Sequence, residues 1–275
     1  QCRVQPGAIS YNAAISACEK GQQWELALAL FQEMQQRHGI EPDMFSFCGA
    51  ISACEKGQQW HLAFLLLDEL RLSSLELSVM SCNAAISACE KGRQWDWALR
   101  LSSALGDSGM EPGQRSYNAA VSACEKCQRW EWGAQLMEEM RRAGHTPDSI
   151  TFSASISACE KGLQWKQALQ LLGDISDCGL ELAVIPCSST MSACEKGWQW
   201  QCAVNLLAKM HRSEVCPNAV SYGALISAYE KGGRWQQAVL LVMQMRQSSL
   251  ELQVRRCTPS PCVELREWRG LLTSR

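Results

Sequence analysis

Seven lysines recur at nearly constant intervals along the chain, and each directly follows a glutamate. Each lysine lies nine residues after the start of an apolar stripe, which is about 900° of helix and therefore half a turn away from that stripe. Units stacked in a row would align these cations so that they could meet the phosphates of a nucleic acid. The alternative is a solvated surface, which the adjacent glutamates and the formal net charge of −2 favour. The lysines are Lys20, Lys56, Lys91, Lys126, Lys161, Lys196 and Lys231.

Cysteine is the second residue type with possible chemistry, because the 275 residues include 16 cysteines. Six of them lie two residues before a lysine of the row, on the apolar stripe: Cys18, Cys54, Cys89, Cys124, Cys159 and Cys194. Equivalent positions on packed helices are about 8 to 10 Å apart, whereas a disulfide needs Cα atoms within about 7 Å. We therefore expect buried free thiols in a reducing compartment. Cys124 and Cys127 form one C-x-x-C with no second pair or paired histidine, so neither a metal nor another cofactor is expected.

Catalytic and membrane functions have little support in the sequence. His38, His61, His145 and His211 fall at unrelated places, and no nucleophile, base and orienting group can be assembled around them. We expect no enzyme activity from this chain. Apolar runs such as 62–67 are far shorter than the roughly 20 residues that span a bilayer, so no membrane partner is expected. The start at Gln1 has the character of a fragment or a processed form.

An internal repeat organises the whole chain. Glu-Lys-Gly or a close variant begins at Glu19 and returns after 36 residues and then every 35, each time followed by a tryptophan. A fixed period of this size predicts a solenoid in which each unit buries its apolar side only against its neighbours. We expect these tryptophans to pack in the core and not to stack on bases. They are Trp24, Trp60, Trp95, Trp130, Trp165, Trp200 and Trp235.

Each unit reads as two helices. In the first unit the stripe from Tyr11 to Cys18 predicts one helix, with Gly21 as its stop signal, and the stripe from Trp24 to Met34 predicts a second. The predicted fold is an all-α solenoid of αα-hairpins, wound as a right-handed superhelix. We place the units at 8–43, 44–78, 79–113, 114–148, 149–183, 184–218 and 219–253, after a linker or the end of a preceding unit at 1–7 and before a degenerate cap or tail at 254–275.

The unit resembles one known family of helical repeats. Residues 10–18 read SYNAAISAC, residues 27–34 read ALALFQEM and residues 39–43 read GIEPD, and the openings at Ser116 and Thr151 and the closings at Pro147 and Pro217 repeat the pattern. These motifs resemble the pentatricopeptide repeat more closely than the slightly shorter tetratricopeptide repeat. The resemblance implies a groove that binds single-stranded RNA, with one nucleotide per unit and each base read by a pair of side chains.

Carried over onto this sequence, the resemblance implies seven base-reading pairs. They are Asn12 with Asp43, Cys48 with Ser78, Asn83 with Gly113, Asn118 with Asp148, Ser153 with Ala183, Ser188 with Asn218, and Gly223 with Gln253. Asn with Asp resembles the family's uridine pair, and Ser with Asn its adenosine pair. The pairs that contain Cys48, Ser153 or Gly223 depart from the usual ones, so we expect them to bind without choosing a base.

Three functions are consistent with the sequence. The leading one is RNA binding by a monomer, with other RNA-processing proteins as further partners, in RNA processing, stability, editing or translation in a chloroplast or mitochondrion, as the resemblance implies. The second is a scaffold whose groove takes a peptide, which the low net charge and the incomplete pairs favour. The third is an RNA-processing enzyme whose catalytic domain lies outside this chain.

Overall fold

The computed structural model describes residues 7–37, 40–73, 75, 77–107, 109–110, 112–243 and 245. Within them the chain forms α1 (Ala8–Lys20), α2 (Trp24–Gln36), α3 (Met44–Lys56), α4 (Trp60–Leu72), α5 (Val79–Lys91), α6 (Trp95–Asp107), α7 (Gln114–Lys126), α8 (Trp130–Arg142), α9 (Ser149–Lys161), α10 (Trp165–Asp177), α11 (Val184–Lys196), α12 (Trp200–Arg212) and α13 (Ala219–Lys231). Residues 235–243 are also helical. The predicted fold class, tandem αα-hairpins, is confirmed. His38, Gly39, Gln253 and the tail 254–275 lie outside the described residues.

The one-residue insertion in the first step of the repeat lies in the connection between units. Residues 37–43 join α2 to α3, whereas the later connections, such as 73–78 and 143–148, are one residue shorter. An extra residue in a surface connection changes the loop-closure entropy little, so the stacking of the helices is preserved.

The helices form two layers with different packing. Each first helix (α1, α3, α5, α7, α9, α11 and α13) packs against the first helices of the neighbouring units. Each second helix from α2 to α12 contacts the first helix of its own unit and that of the next one, whereas the described second helices meet one another only through side chains, such as Phe64 with Trp97 and Arg141 with Asp174. Because the backbones of successive first helices pack more closely than those of successive second helices, the stack curves toward the first helices, which line the concave face. None of the described helices is long and apolar enough to cross a bilayer.

A tryptophan of one unit packs over a glycine of the next at five of the six junctions between the described units. Trp24 lies over Gly57, where an added Cβ would collide with the indole, and Trp60 lies over Gly92 in the same way. Gly57 has an ordinary φ of −78°, whereas the left-handed residue is the next one, Gln58, with φ 57°. The predicted position of the helix end is confirmed. Glycine is needed there because the tryptophan packs directly against it, and not because the backbone has a left-handed conformation.

The tryptophan row is part of the core, as predicted, in six of the seven units. Trp24, Trp60, Trp95, Trp130, Trp165 and Trp200 pack against the two buried apolar clusters of the solenoid. Trp235 is 68% exposed, because its unit is the last one described. Where Cys127 replaces the glycine, Trp95 lies 5.9 Å from the ring of Trp132 and 5.1 Å from the guanidinium of Arg129.

The repeated thiols are small buried core residues. Cys54, Cys89, Cys124 and Cys194 are almost fully buried, and burial raises the pKa of each to about 12. Cys159 is equally buried and its pKa rises to about 11 for the same reason. These thiols are therefore protonated and unreactive at neutral pH. Cys18, in the first unit, is only half-buried.

Candidate nucleic-acid interface

The second residue of each predicted pair has a structural task that the sequence analysis did not recognise. In six units it is the N-cap of the next unit's first helix: Asp43, Ser78, Gly113, Asp148, Ala183 and Asn218. Four of these caps accept a hydrogen bond from the backbone N–H three residues later, which satisfies a donor that the helix itself leaves unpaired. A residue at this position therefore acts on helix stability as well as on any ligand.

In the first unit the predicted pair forms one hydrogen-bonded cluster. Asn12 Nδ2 donates to Asp43, at 3.0 Å from Oδ1 and 3.1 Å from Oδ2. The hydroxyl of Ser46 lies 2.6 Å from Asn12 Oδ1 and 2.8 Å from Asp43 Oδ1, and Ser46 also forms a capping box with Asp43. Since a carboxylate only accepts, it holds the amide with Nδ2 turned toward Asp43.

The fourth unit repeats this cluster with one addition. Asn118 Nδ2 donates to Asp148 Oδ2 at 3.0 Å, and the hydroxyl of Thr151 donates to Asn118 Oδ1 at 2.5 Å. Gln114 Nε2 donates to the same Asp148 Oδ2 at 2.8 Å. The first unit has Ala8 at the position of Gln114. The two uridine-type pairs are thus alike in their asparagine, aspartate and hydroxyl, and they differ at the first two residues of the helix, where Gln114 and Arg115 replace Ala8 and Ile9.

Both aspartates are held in the ionised form. Burial alone would raise the pKa of Asp43, but hydrogen bonds from Ser46, Asn12 and the backbone of Phe45 outweigh it and hold the pKa below its ordinary value. The pKa of Asp148 is lowered in the same way, against burial, by hydrogen bonds from Thr151 and from its two amide partners. Each carboxylate is a permanent acceptor at neutral pH.

The other predicted pairs lack the bond between an amide and a carboxylate. Asn83 accepts a hydrogen bond from the hydroxyl of Ser116, although its partner position is Gly113. The thiol of Cys48 lies 3.5 Å from Ser78 Oγ. Ser153 and Ser188 donate to carbonyl oxygens of their own helices, at Ser149 and Ile185, and not toward Ala183 and Asn218. Gly223 is exposed, and its partner Gln253 lies outside the described residues.

The lysine row forms a ladder of ion pairs between units. Lys56 Nζ lies 3.0 Å from Glu19 Oε1, and each following lysine pairs with the glutamate one unit before it at 2.7 to 3.1 Å. Ser87 and Ser157 donate to two of the same glutamates. Lys20 has no ion pair within the part of the chain that the structure describes. The Lys–Glu ladder is close to neutral, and each lysine keeps N–H donors that its glutamate does not use.

A row of exposed apolar side chains lies beside the pairs, and the sequence analysis missed it. Ile9 is three residues before Asn12, on the same face of α1, and is 85% exposed. Five further units have an apolar residue there that is 58 to 77% exposed: Phe45, Met80, Ile150, Ile185 and Val220. The fourth unit has Arg115, which is exposed and has no hydrogen bond, ion pair or ring contact among the described residues. An apolar residue at a fixed place outside the buried stripe was the signal that could have revealed this row.

The family follows from the repeats themselves. Residues 6–56 match the PPR repeat family, residues 115–145 the PPR repeat and residues 170–251 the pentatricopeptide repeat domain. Together with the αα-hairpin solenoid, these matches show that the chain belongs to the pentatricopeptide repeat family. No curated protein matches the chain significantly in sequence.

Solved structures share the fold. The pentatricopeptide repeat protein PPR10 from maize has a TM-score of 0.60 and 21% identity, over 94% of this chain and 41% of that one. PPR10 in complex with an 18-nt psaJ RNA element has a TM-score of 0.55 and 18% identity, over 98% of this chain and 45% of that one. The PPR domain of Arabidopsis thaliana protein-only RNase P 1, in complex with tRNA, has a TM-score of 0.54 and 15% identity, over 68% of this chain and 93% of that one. The chain therefore spans less than half the length of PPR10.

Proposed function

We propose that this chain binds single-stranded RNA on its concave face, with one nucleotide per unit. The observation that carries the proposal is the amide that an aspartate orients in the first and fourth units, beside a row of side chains that are exposed and apolar in six units, as with Asn12 beside Ile9. A nucleobase needs both features, because its edge forms hydrogen bonds and its flat face is apolar. The RNA complexes of PPR10 and of the RNase P domain, which share the fold, support the same conclusion.

The orientation of the amide supports uridine at the first and fourth units. Asp43 fixes Asn12 Nδ2, and the hydroxyl of Ser46 occupies one lone pair of Oδ1. One N–H and one lone pair of the amide remain for a base. Uracil complements them through its N3–H donor and O4 acceptor, whereas cytosine carries an acceptor at N3 and a donor at N4. The Asn118 and Asp148 pair presents the same groups.

The remaining units are proposed to select among the bases less strictly. Ser188 and Asn218 are proposed to accept adenosine on family resemblance, and Asn83 with Gly113 a pyrimidine. The pairs Cys48 with Ser78, Ser153 with Ala183, and Gly223 with Gln253 are proposed to bind a nucleotide without selecting its base. In the family's parallel polarity the array would prefer U-n-n-U-n-A.

The lysines are proposed to contact phosphates through the donors that the Lys–Glu ladder leaves unused. Each ion pair has no net charge, so this contribution is smaller than that of seven free cations. Lys20 and Arg115 have no ion-pair partner among the described residues, and they add unpaired charge to the first and fourth units.

By family resemblance, the proposed role is processing, stability, editing or translation of an RNA in a chloroplast or mitochondrion, by a monomer that works with other RNA-processing proteins. A peptide-binding scaffold is the second candidate, and two observations favour it. The Lys–Glu ladder is neutral, and the exposed apolar row would also suit an apolar peptide. The third candidate is an RNA-processing enzyme whose catalytic domain lies outside this chain. It would use the same array to bind RNA.

Selection from a random pool of single-stranded RNA separates these functions. The chain is expected to enrich RNAs with uridines three nucleotides apart and an adenosine two nucleotides beyond the second. Asn12→Ala together with Asn118→Ala should remove the uridine preference while the protein stays helical. A pool that is not enriched at all would support the peptide scaffold.

A further inference from the structure

The first and fourth units carry the same Asn and Asp pair in unequal surroundings. In the fourth unit, Gln114 is the first residue of α7 and donates to Asp148 Oδ2 at 2.8 Å, next to the bond from Asn118. Ala8 occupies the equivalent position in the first unit and has no polar side chain. Gln114 is exposed, so it adds a hydrogen bond to the pair without adding a buried contact.

The difference lies at one oxygen atom. Asp148 Oδ2 accepts two N–H groups, which matches its two lone pairs. Among the described side chains, only Asn12 donates to Asp43 Oδ2, and that N–H is shared with Oδ1. The first unit therefore lacks the second amide donor and leaves acceptor capacity on the carboxylate beside Asn12, whereas in the fourth unit two amide groups use both lone pairs of this oxygen.

A free carboxylate lone pair changes which bases are tolerated. The N4 amino group of cytosine needs an acceptor, and Asp43 Oδ2 can provide one directly or through a water. Opposite Asp148 Oδ2 the same amino group would meet two N–H donors in place of an acceptor, which is unfavourable. Uracil has no amino group and gains nothing from the free acceptor. Filling Oδ2 thus penalises the wrong base and leaves the right one unaffected.

We propose that Gln114 is a specificity-determining residue that makes the fourth unit a stricter reader of uridine than the first. It acts through Asp148 and is a positioning residue. The inference rests on the proposed RNA-binding function and deepens it. The fourth unit is then the position at which a mismatch is least tolerated, and the first unit accepts cytidine more readily.

The test compares RNAs that carry U or C at the first or the fourth position of the proposed footprint. We expect the ratio of the dissociation constants for C and U to be about tenfold larger at the fourth position than at the first. Gln114→Ala should lower the fourth ratio to that of the first unit. Ala8→Gln should raise the first ratio, and neither variant should change the ratio at the other position.

The transplant separates specificity from stability, because a merely structural glutamine would not move base preference to a second unit. Equal ratios at both positions, unchanged in both variants, would overturn the role of Gln114 while uridine reading remains. If the wild-type protein prefers uridine at neither position, the proposed base reading itself is wrong.

Discussion

Asn12 Nδ2 donates to the carboxylate of Asp43, a residue 31 positions away that is also the N-cap of the next unit's first helix. One side chain therefore stabilises a helix and orients an amide on the concave face. The same arrangement joins Asn118 to Asp148. In these two units the groups proposed to read a base are also the groups that connect neighbouring units.

The capping and reading tasks of Asp43 can be separated by substitution. Asp43→Ser keeps a good N-cap, so the free energy of unfolding should change by less than about 0.5 kcal/mol, whereas Asp43→Ala should lower it by about 1 kcal/mol. Both variants remove the carboxylate that fixes Asn12, so both should lose uridine preference at the first position. Urea unfolding and RNA competition measure the two effects. Uridine preference that survives in Asp43→Ser would contradict the role of the carboxylate.

Acid should destabilise the array through its two capping aspartates. The pKa values of Asp43 and Asp148 are lower in the folded protein than in the unfolded chain, where the pKa of an aspartate is about 3.9. Their contribution to stability is therefore complete above that value and is lost as the pH falls through the folded pKa values. Between pH 6 and pH 3, wild type should lose more free energy of unfolding than the variant with Asp43→Ser and Asp148→Ser. Equal losses would show that these carboxylates titrate normally.

The Lys–Glu ladder should limit the salt dependence of RNA binding. Seven free lysines on phosphates would give a slope of log K against log salt of about −5, and the paired lysines should give a shallower one. Glu125→Gln frees Lys161 and should raise affinity and steepen the slope by about 0.7. Glu138→Gln, which removes a carboxylate paired with Arg142 within α8, is the matched control. Identical slopes in both variants would mean that Lys161 does not approach a phosphate.

The contact between Trp130 and Gly162 should be sensitive to a single methyl group. A Cβ on Gly162 would collide with the indole, so Gly162→Ala should lower the free energy of unfolding by about 1 to 3 kcal/mol. Gly173 lies inside α10 with no atom within 4 Å of an added Cβ. Gly173→Ala should therefore stabilise the protein by about 0.5 to 1 kcal/mol. A neutral Gly162→Ala would show that the tryptophan moves aside freely.

Periodicity was enough to predict the helices and their stacking, because the units share the same apolar stripes and, except where Cys127 replaces the glycine, the same packing pair, such as Trp24 and Gly57. The details of the interface depend on contacts between residues about one period apart. The sequence shows Lys56 next to Glu55, but the ion pair is with Glu19, and only the stacking register determines that choice. The cap role of Asp43 was hidden for the same reason, since it belongs to one unit and acts on the next.

The base-reading claim is tested most directly by an RNA competition before and after Asn118→Ser, with Asp148 kept. By the family's pairing rule, serine with aspartate reads guanosine, so the preferred base at the fourth position should change from U to G. The expected discrimination is about 1 to 3 kcal/mol for a well-read base, measured with RNAs that differ only at that position. An unchanged ranking of the four RNAs would contradict the account and make Asn118 and Asp148 ordinary surface residues.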